Sequence, residues 1–172
     1  LPHCTIFLYM RRMNIALDTK ERIASITLDD ASIIRRAPEI ERERATAIAD
    51  LLESNSFAPY CVQEGPYDIF LSARDNRLTL RISSEALQDP REVVLPIKPF
   101  KQIIKDYFFI CESYFEAMNT SQPHRVEALD MARRSIHNEG SEELLTQLEN
   151  RITLDFDTAR RLFTLICVLH IR

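Results

Sequence analysis

Gly65 and Gly140 are the only glycines in 172 residues. That scarcity limits the loops this chain can build. The Walker A loop and the dinucleotide-binding fingerprint both need several glycines, so that backbone can approach phosphate closely. Neither can be written onto this sequence. Gly140 closes a conspicuous polar segment, Arg133-Arg134-Ser135-Ile136-His137-Asn138-Glu139-Gly140. A glycine after a helix takes the left-handed conformation that stops it. The segment therefore reads as a helix C-terminus loaded with two arginines, a histidine, an amide and a carboxylate.

The remaining periodicities assign the rest of the chain. Residues 23–28 are β-branched and alternate weakly, as a strand does. Pro38 opens a helix to about Ser54, with Glu39, Glu41 and Glu43 at its positive end and Ile40, Ala45, Ile48, Leu51 and Leu52 as its apolar stripe. Residues 67–73 and 77–83 alternate around Asp75-Asn76 and predict a hairpin with one wet face. Residues 93–95 add a short strand, and 57–66 form the longest segment without structure. A long helix over 100–119 carries an apolar face from Phe100 through Tyr107 to Met118. Phe109 falls in the middle of its polar side, where burial under another layer is favoured over an aromatic contact with a partner.

Pro123 starts the helix that ends near His137, and Ser141 caps a short helix to Leu148. Residues 152–156 suggest a strand. Asp157 caps a final helix over 158–171, whose apolar run from Leu162 should be buried on nearly all sides. That run is about half of the ~20 residues a bilayer demands. The sum is an α+β chain: a small antiparallel sheet, helices packed on one face, and a helical C-terminal half. Residues 13–172 read as a single domain. Residues 1–12 read as a poorly anchored extension, with Met10 and Met13 just downstream of Leu1.

Charge and cysteine content narrow the function classes. The net charge of −4 argues against a dedicated nucleic-acid binder, which needs surplus basic charge to displace counterions. Cys4, Cys61, Cys111 and Cys167 lie far apart, with no C-x-x-C pair, which implies a reduced, cytoplasmic protein. Cys167-x-x-His170 supplies two ligands at most, too few for zinc, so no metal and no cofactor are expected. Asp155 and Asp157 read as capping groups rather than a cation site. No G-x-S-x-G elbow is present, and Ser135 and His137 are two apart on a helix, where side chains do not face each other.

The best ligand-binding candidates are Arg133, His137, Asn138 and Glu139, joined by Asp106, Tyr107 and Arg160 if the fold brings them together. Asp130, Arg133 and His137 are neighbours at three- and four-residue spacing. A histidine between an acid and an arginine could move protons near neutral pH. The competing reading is a helix end stabilised by its cations, with Arg133 paired to Asp130.

Three strings carry a resemblance. They are Val93-Val94-Leu95-Pro96-Ile97-Lys98-Pro99-Phe100 running into Lys105-Asp106-Tyr107-Phe108, the segment from Arg133 to Ser141, and Asp155-Phe156-Asp157-Thr158-Ala159-Arg160-Arg161-Leu162-Phe163-Thr164-Leu165. Together they resemble the bacterial uncharacterised protein family 0262, from about Ile23 to the C-terminus. The resemblance implies a soluble bacterial protein and brings no activity, so no residue role comes with it.

Three functions remain in order. A non-catalytic interaction or regulatory protein, with a protein partner or a second copy, predicts an exposed apolar patch and no deep polar pocket. A small-molecule binder or enzyme predicts a cleft where Arg133, His137 and Glu139 converge with Asp106, Tyr107 or Arg160. A weak nucleic-acid binder predicts that the pairs Arg35-Arg36, Arg133-Arg134 and Arg160-Arg161 share one face. No membrane contact is expected.

Overall fold

The computed structural model of the chain describes residues 20–29, 38–60, 65–120 and 123–170. The expected N-terminal extension and Arg35-Arg36 lie outside the described residues. Strand β1 (Ile23–Leu28) leads through helix α1 (Pro38–Glu53) and the short β2 (Phe57–Pro59) to β3 (Tyr67–Arg74), β4 (Arg77–Ser83) and β5 (Arg91–Pro96). Helices α2 (Lys98–Asn119) and α3 (Pro123–Leu148), strand β6 (Ile152–Leu154) and helix α4 (Phe156–His170) complete it. The α+β class stands.

The main sheet has the order β1-β3-β4-β5. It is mixed rather than antiparallel, because β1 runs parallel to β3. A chain that leaves one strand and returns through a helix arrives pointing the same way, as βαβ crossovers do. The β3–β4 hairpin turns on Asp75 and Asn76 at φ of 49° and 59°. Both sit in the left-handed region that a two-residue turn requires, and short polar side chains tolerate it. Tyr67, Ile69, Leu71, Leu78, Leu80 and Ile82 face the core, while Phe70, Arg77 and Arg81 face outward. Residues 57–59, expected to lack structure, pair with β6 as a second, two-stranded sheet.

Helix α4 is the centre of the helical half. Leu162, Phe163 and the run from Leu165 to Leu169 are buried, as its unbroken apolar sequence requires. It packs against α1, α3 and β3. Its cap differs from expectation. Asp155 Oδ1 accepts the Thr158 amide at 2.6 Å, so Asp155, not Asp157, closes the N-terminus, and Phe156 is helical rather than extended. On α1 it is Ala47, not Ala45, that enters the core beside Leu51.

Three further expectations fail here. Helix α3 does not stop at Gly140 but continues to Leu148, and neither glycine has positive φ. Gly140 serves a close approach instead. A Cβ there would overlap Cζ, Cε1 and Cε2 of Phe163 on α4. Ser141 caps nothing, and its hydroxyl donates to the His137 carbonyl one turn back, at 2.7 Å. Phe109 is not covered by a second layer. It is 66% exposed, because the last helix packs on α1, α3 and β3 instead.

Candidate functional site

A cleft of about 790 Å³ lies between α1, α3 and α4. From α3 come Arg133, Arg134, His137 and Asn138; Tyr107 of α2 joins them. Helix α4 gives Asp157, Arg160, Arg161 and Thr164, which repeat at three- and four-residue spacing and so share a face. Helix α1 gives Arg42, Glu43, Thr46, Ala47 and Asp50. Five arginines meet three carboxylates around one concavity.

The arginines are held in different ways. A single carboxylate, Asp130, accepts Arg133 Nη2 at 2.8 Å and Arg134 Nε at 2.9 Å. Hydrogen bonding to Arg133, then the nearby Arg134, holds the Asp130 carboxyl below its ordinary range. The Arg133 guanidinium also stacks 5.8 Å from the Tyr114 ring centroid, and its Nε is buried without a hydrogen-bond partner among the described residues. Arg161 Nη1 donates to the Ser54 carbonyl at 2.8 Å. Arg160 forms no side-chain hydrogen bond or ion pair among the described residues.

His137 forms the floor. It is 8% exposed, with the Tyr107 and Phe163 rings centred 5.5 and 5.4 Å away. Its Nε2 lies 2.8 Å from Thr164 Oγ1. The Thr164 hydroxyl spends its proton on the Arg160 carbonyl at 3.1 Å. With that proton on the carbonyl, Thr164 accepts from Nε2–H of His137, the tautomer that leaves Nδ1 as an acceptor. Among the described residues that Nδ1 is buried and unpartnered, as is Oδ1 of Asn138. Burial, then the charges of Arg160 and Arg133, push the His137 pKa down to about 4, so the ring is neutral at neutral pH.

Burial also raises the Glu43 carboxyl, opposed by Arg133. It likewise pushes the Tyr107 hydroxyl far above its ordinary range and the Cys111 thiol up to about 11. Cys111 and Cys167 are buried thiols.

Of the residues singled out from sequence, Arg133, His137, Asn138, Tyr107 and Arg160 converge. Asp106 and Glu139 do not. Asp106 is one residue from Tyr107 and so a quarter-turn away, where it accepts from Gln102 at 2.8 Å. Glu139 is two residues past His137 and faces solvent on the opposite side. Reading α3 as ending at Gly140 put Glu139 beyond the helix, and its continuation turns Glu139 away. The contribution of α1 was missed. Its signal was Arg42, Thr46 and Asp50 at four-residue spacing, a polar row beside the apolar stripe. Among the described residues, no group of three His, Cys, Asp or Glu side chains is placed to hold a metal ion. None of the described helices is long and apolar enough to cross a membrane.

The model of the uncharacterised protein family UPF0262 matches residues 20–172. A UPF0262 protein of Paramagnetospirillum magneticum is 52% identical over 153 residues, covering 89% of this chain and 98% of its own. One from Ruegeria pomeroyi is 53% identical over 157 residues, covering 88% and 98%. One from Rhizobium meliloti is 49% identical over 155 residues, covering 90% and 98%. No solved structure matches the chain.

Proposed function

We propose that this chain, which belongs to the uncharacterised protein family UPF0262, binds a small molecule by a carboxylate or phosphate group received between Arg133 and Arg160. The observation that carries the reading is the Arg160 guanidinium, which lines a concave site without an anionic partner among the described residues. Arg133 lines the same cleft, and its buried Nε has no acceptor among the described residues. Planar guanidinium groups suit oxyanions, and charge-assisted hydrogen bonds in a partly dry cleft are strong.

Binding rather than turnover fits the same geometry. A histidine with its pKa pushed down to about 4 is a weak base at neutral pH. Three carboxylates on the cleft disfavour a long polyanion such as nucleic acid, although two arginine pairs, Arg133-Arg134 and Arg160-Arg161, do share it. The cleft is also the reason to prefer this reading over a purely protein-docking one. We place the activity in the cytoplasm, carried by residues 13–172 as one domain.

Thermal unfolding with citrate or with pyrophosphate tests the proposal. One of these should raise the melting temperature of the wild type, and Arg160→Met should abolish the rise. Arg81→Met, on the outward face of the sheet, should keep it. An undiminished rise in Arg160→Met refutes the assignment.

A further inference from the structure

Resting on the oxyanion reading of the cleft, we infer that its ligand is a hydroxylated anion. The anionic end meets Arg133 and Arg160, and neutral hydroxyl groups donate to Nδ1 of His137 and Oδ1 of Asn138. His137 and Asn138, adjacent in sequence, both line one cleft, and each carries a buried acceptor atom with no donor among the described residues. A buried polar atom left unpaired carries an uncompensated desolvation penalty, so a ligand that pairs it recovers that energy. The tautomer makes the demand specific. With the Thr164 proton on the Arg160 carbonyl, His137 takes the Nε2–H tautomer, in which Nδ1 can only accept.

The donor should be neutral. His137 lies in the field of Arg133 and Arg160, from two different helices, and both oppose positive charge on it. An ammonium group at Nδ1 would meet the same repulsion. Glu43 and Asp50 across the cleft, on α1, are the groups that could hold an ammonium instead. A hydroxyl suffers no such penalty. The rings of Tyr107 and Phe163 keep the imidazole from turning away.

Calorimetric titration of the full chain with five probes tests this. Gluconate, hexanoate and norleucine compare hydroxyl, nothing and ammonium on a six-carbon carboxylate. Glycerol phosphate and propyl phosphate make the same comparison on a phosphate. In at least one series the hydroxylated probe should bind about tenfold tighter than its bare partner, the equivalent of one recovered acceptor. The series that responds identifies the anion. In His137→Phe, which keeps a ring between Tyr107 and Phe163, that preference should fall, because Asn138 alone then accepts a hydroxyl.

A nitrogen NMR titration of histidine-labelled wild type gives the same answer without any variant. The Nδ1 resonance of His137 should move with the hydroxylated probe and stay still with the bare one. Equal affinities within both pairs, or norleucine binding tighter than gluconate, overturn the inference and leave the oxyanion reading standing. If none of the five binds, the oxyanion reading falls and the inference with it.

Discussion

Gly140 of α3 lies so close to the ring of Phe163 of α4 that a single added carbon would overlap three ring atoms. The ring cannot step aside, because it is fully buried and packed against His137 and Phe100. Gly140→Ala should therefore destabilise by roughly 2 kcal/mol, an overpacking cost that outweighs the ~1 kcal/mol alanine gains in a helix interior. In a Phe163→Leu background the same substitution should cost much less. Urea unfolding of the four combinations measures the coupling. A cost that is equal in both backgrounds would place its origin in the backbone rather than in the ring.

The N-terminus of α4 offers a comparison of two aspartates. Asp155 accepts the Thr158 amide, whereas Asp157 sits in the first helical turn. Asp155→Ala should cost about 1 kcal/mol, as lost caps do. Asp157→Ala should cost only a few tenths, through the helix dipole. Chemical denaturation with the larger loss at Asp157 would contradict the cap assignment.

His137 should make the fold acid-sensitive in a defined window. Its pKa falls from 6.5 to about 4 on folding, so the unfolded chain takes up a proton that the folded chain refuses. Above pH 6.5 both states are neutral and the residue contributes no slope. As pH falls from 6.5 towards 4, stability should drop by a total of about 3 kcal/mol, the whole of it lost below the folded pKa. The raised Glu43 carboxyl works the other way, and the lowered Asp130 acts at lower pH. Unfolding free energies across the window should therefore flatten in His137→Phe. An unchanged slope in that variant would show that histidine is not the proton acceptor.

Phe109 projects from α2 at 66% exposure. Phe109→Ser should leave monomer stability within about 0.5 kcal/mol, the range of surface substitutions. A loss of several kcal/mol in thermal or urea unfolding would mean that the ring is packed. If Phe109 anchors a second copy, the variant should sediment as a smaller species than the wild type.

Legibility followed the range of the interactions. The β3–β4 hairpin could be read because Asp75-Asn76 and the alternation of residues 77–83 are local. Proline placement marked the starts of α1, α2 and α3 for the same reason. The parallel pairing of β1 with β3 was not legible, since nothing in residues 23–28 names their partner. Gly140 misled because a glycine that ends a helix and one that admits a neighbour look alike. Only Phe163, on another helix, tells them apart. In the cleft, His137 and Arg133 share one helix face and could be found together. Arg42, Glu43 and Asp50 reach the same site only through the packing of α1 on α4.

The central claim is that Arg133 and Arg160 together receive an oxyanion. The Nε–H resonances of the arginine side chains, followed during titration with pyrophosphate or citrate at constant ionic strength, test it most directly. Arg133 and Arg160 should move saturably and with the same midpoint, while Arg81 on the sheet stays still. Uniform, unsaturated drift of all arginines, or stationary Arg133 and Arg160 with both anions, would contradict it.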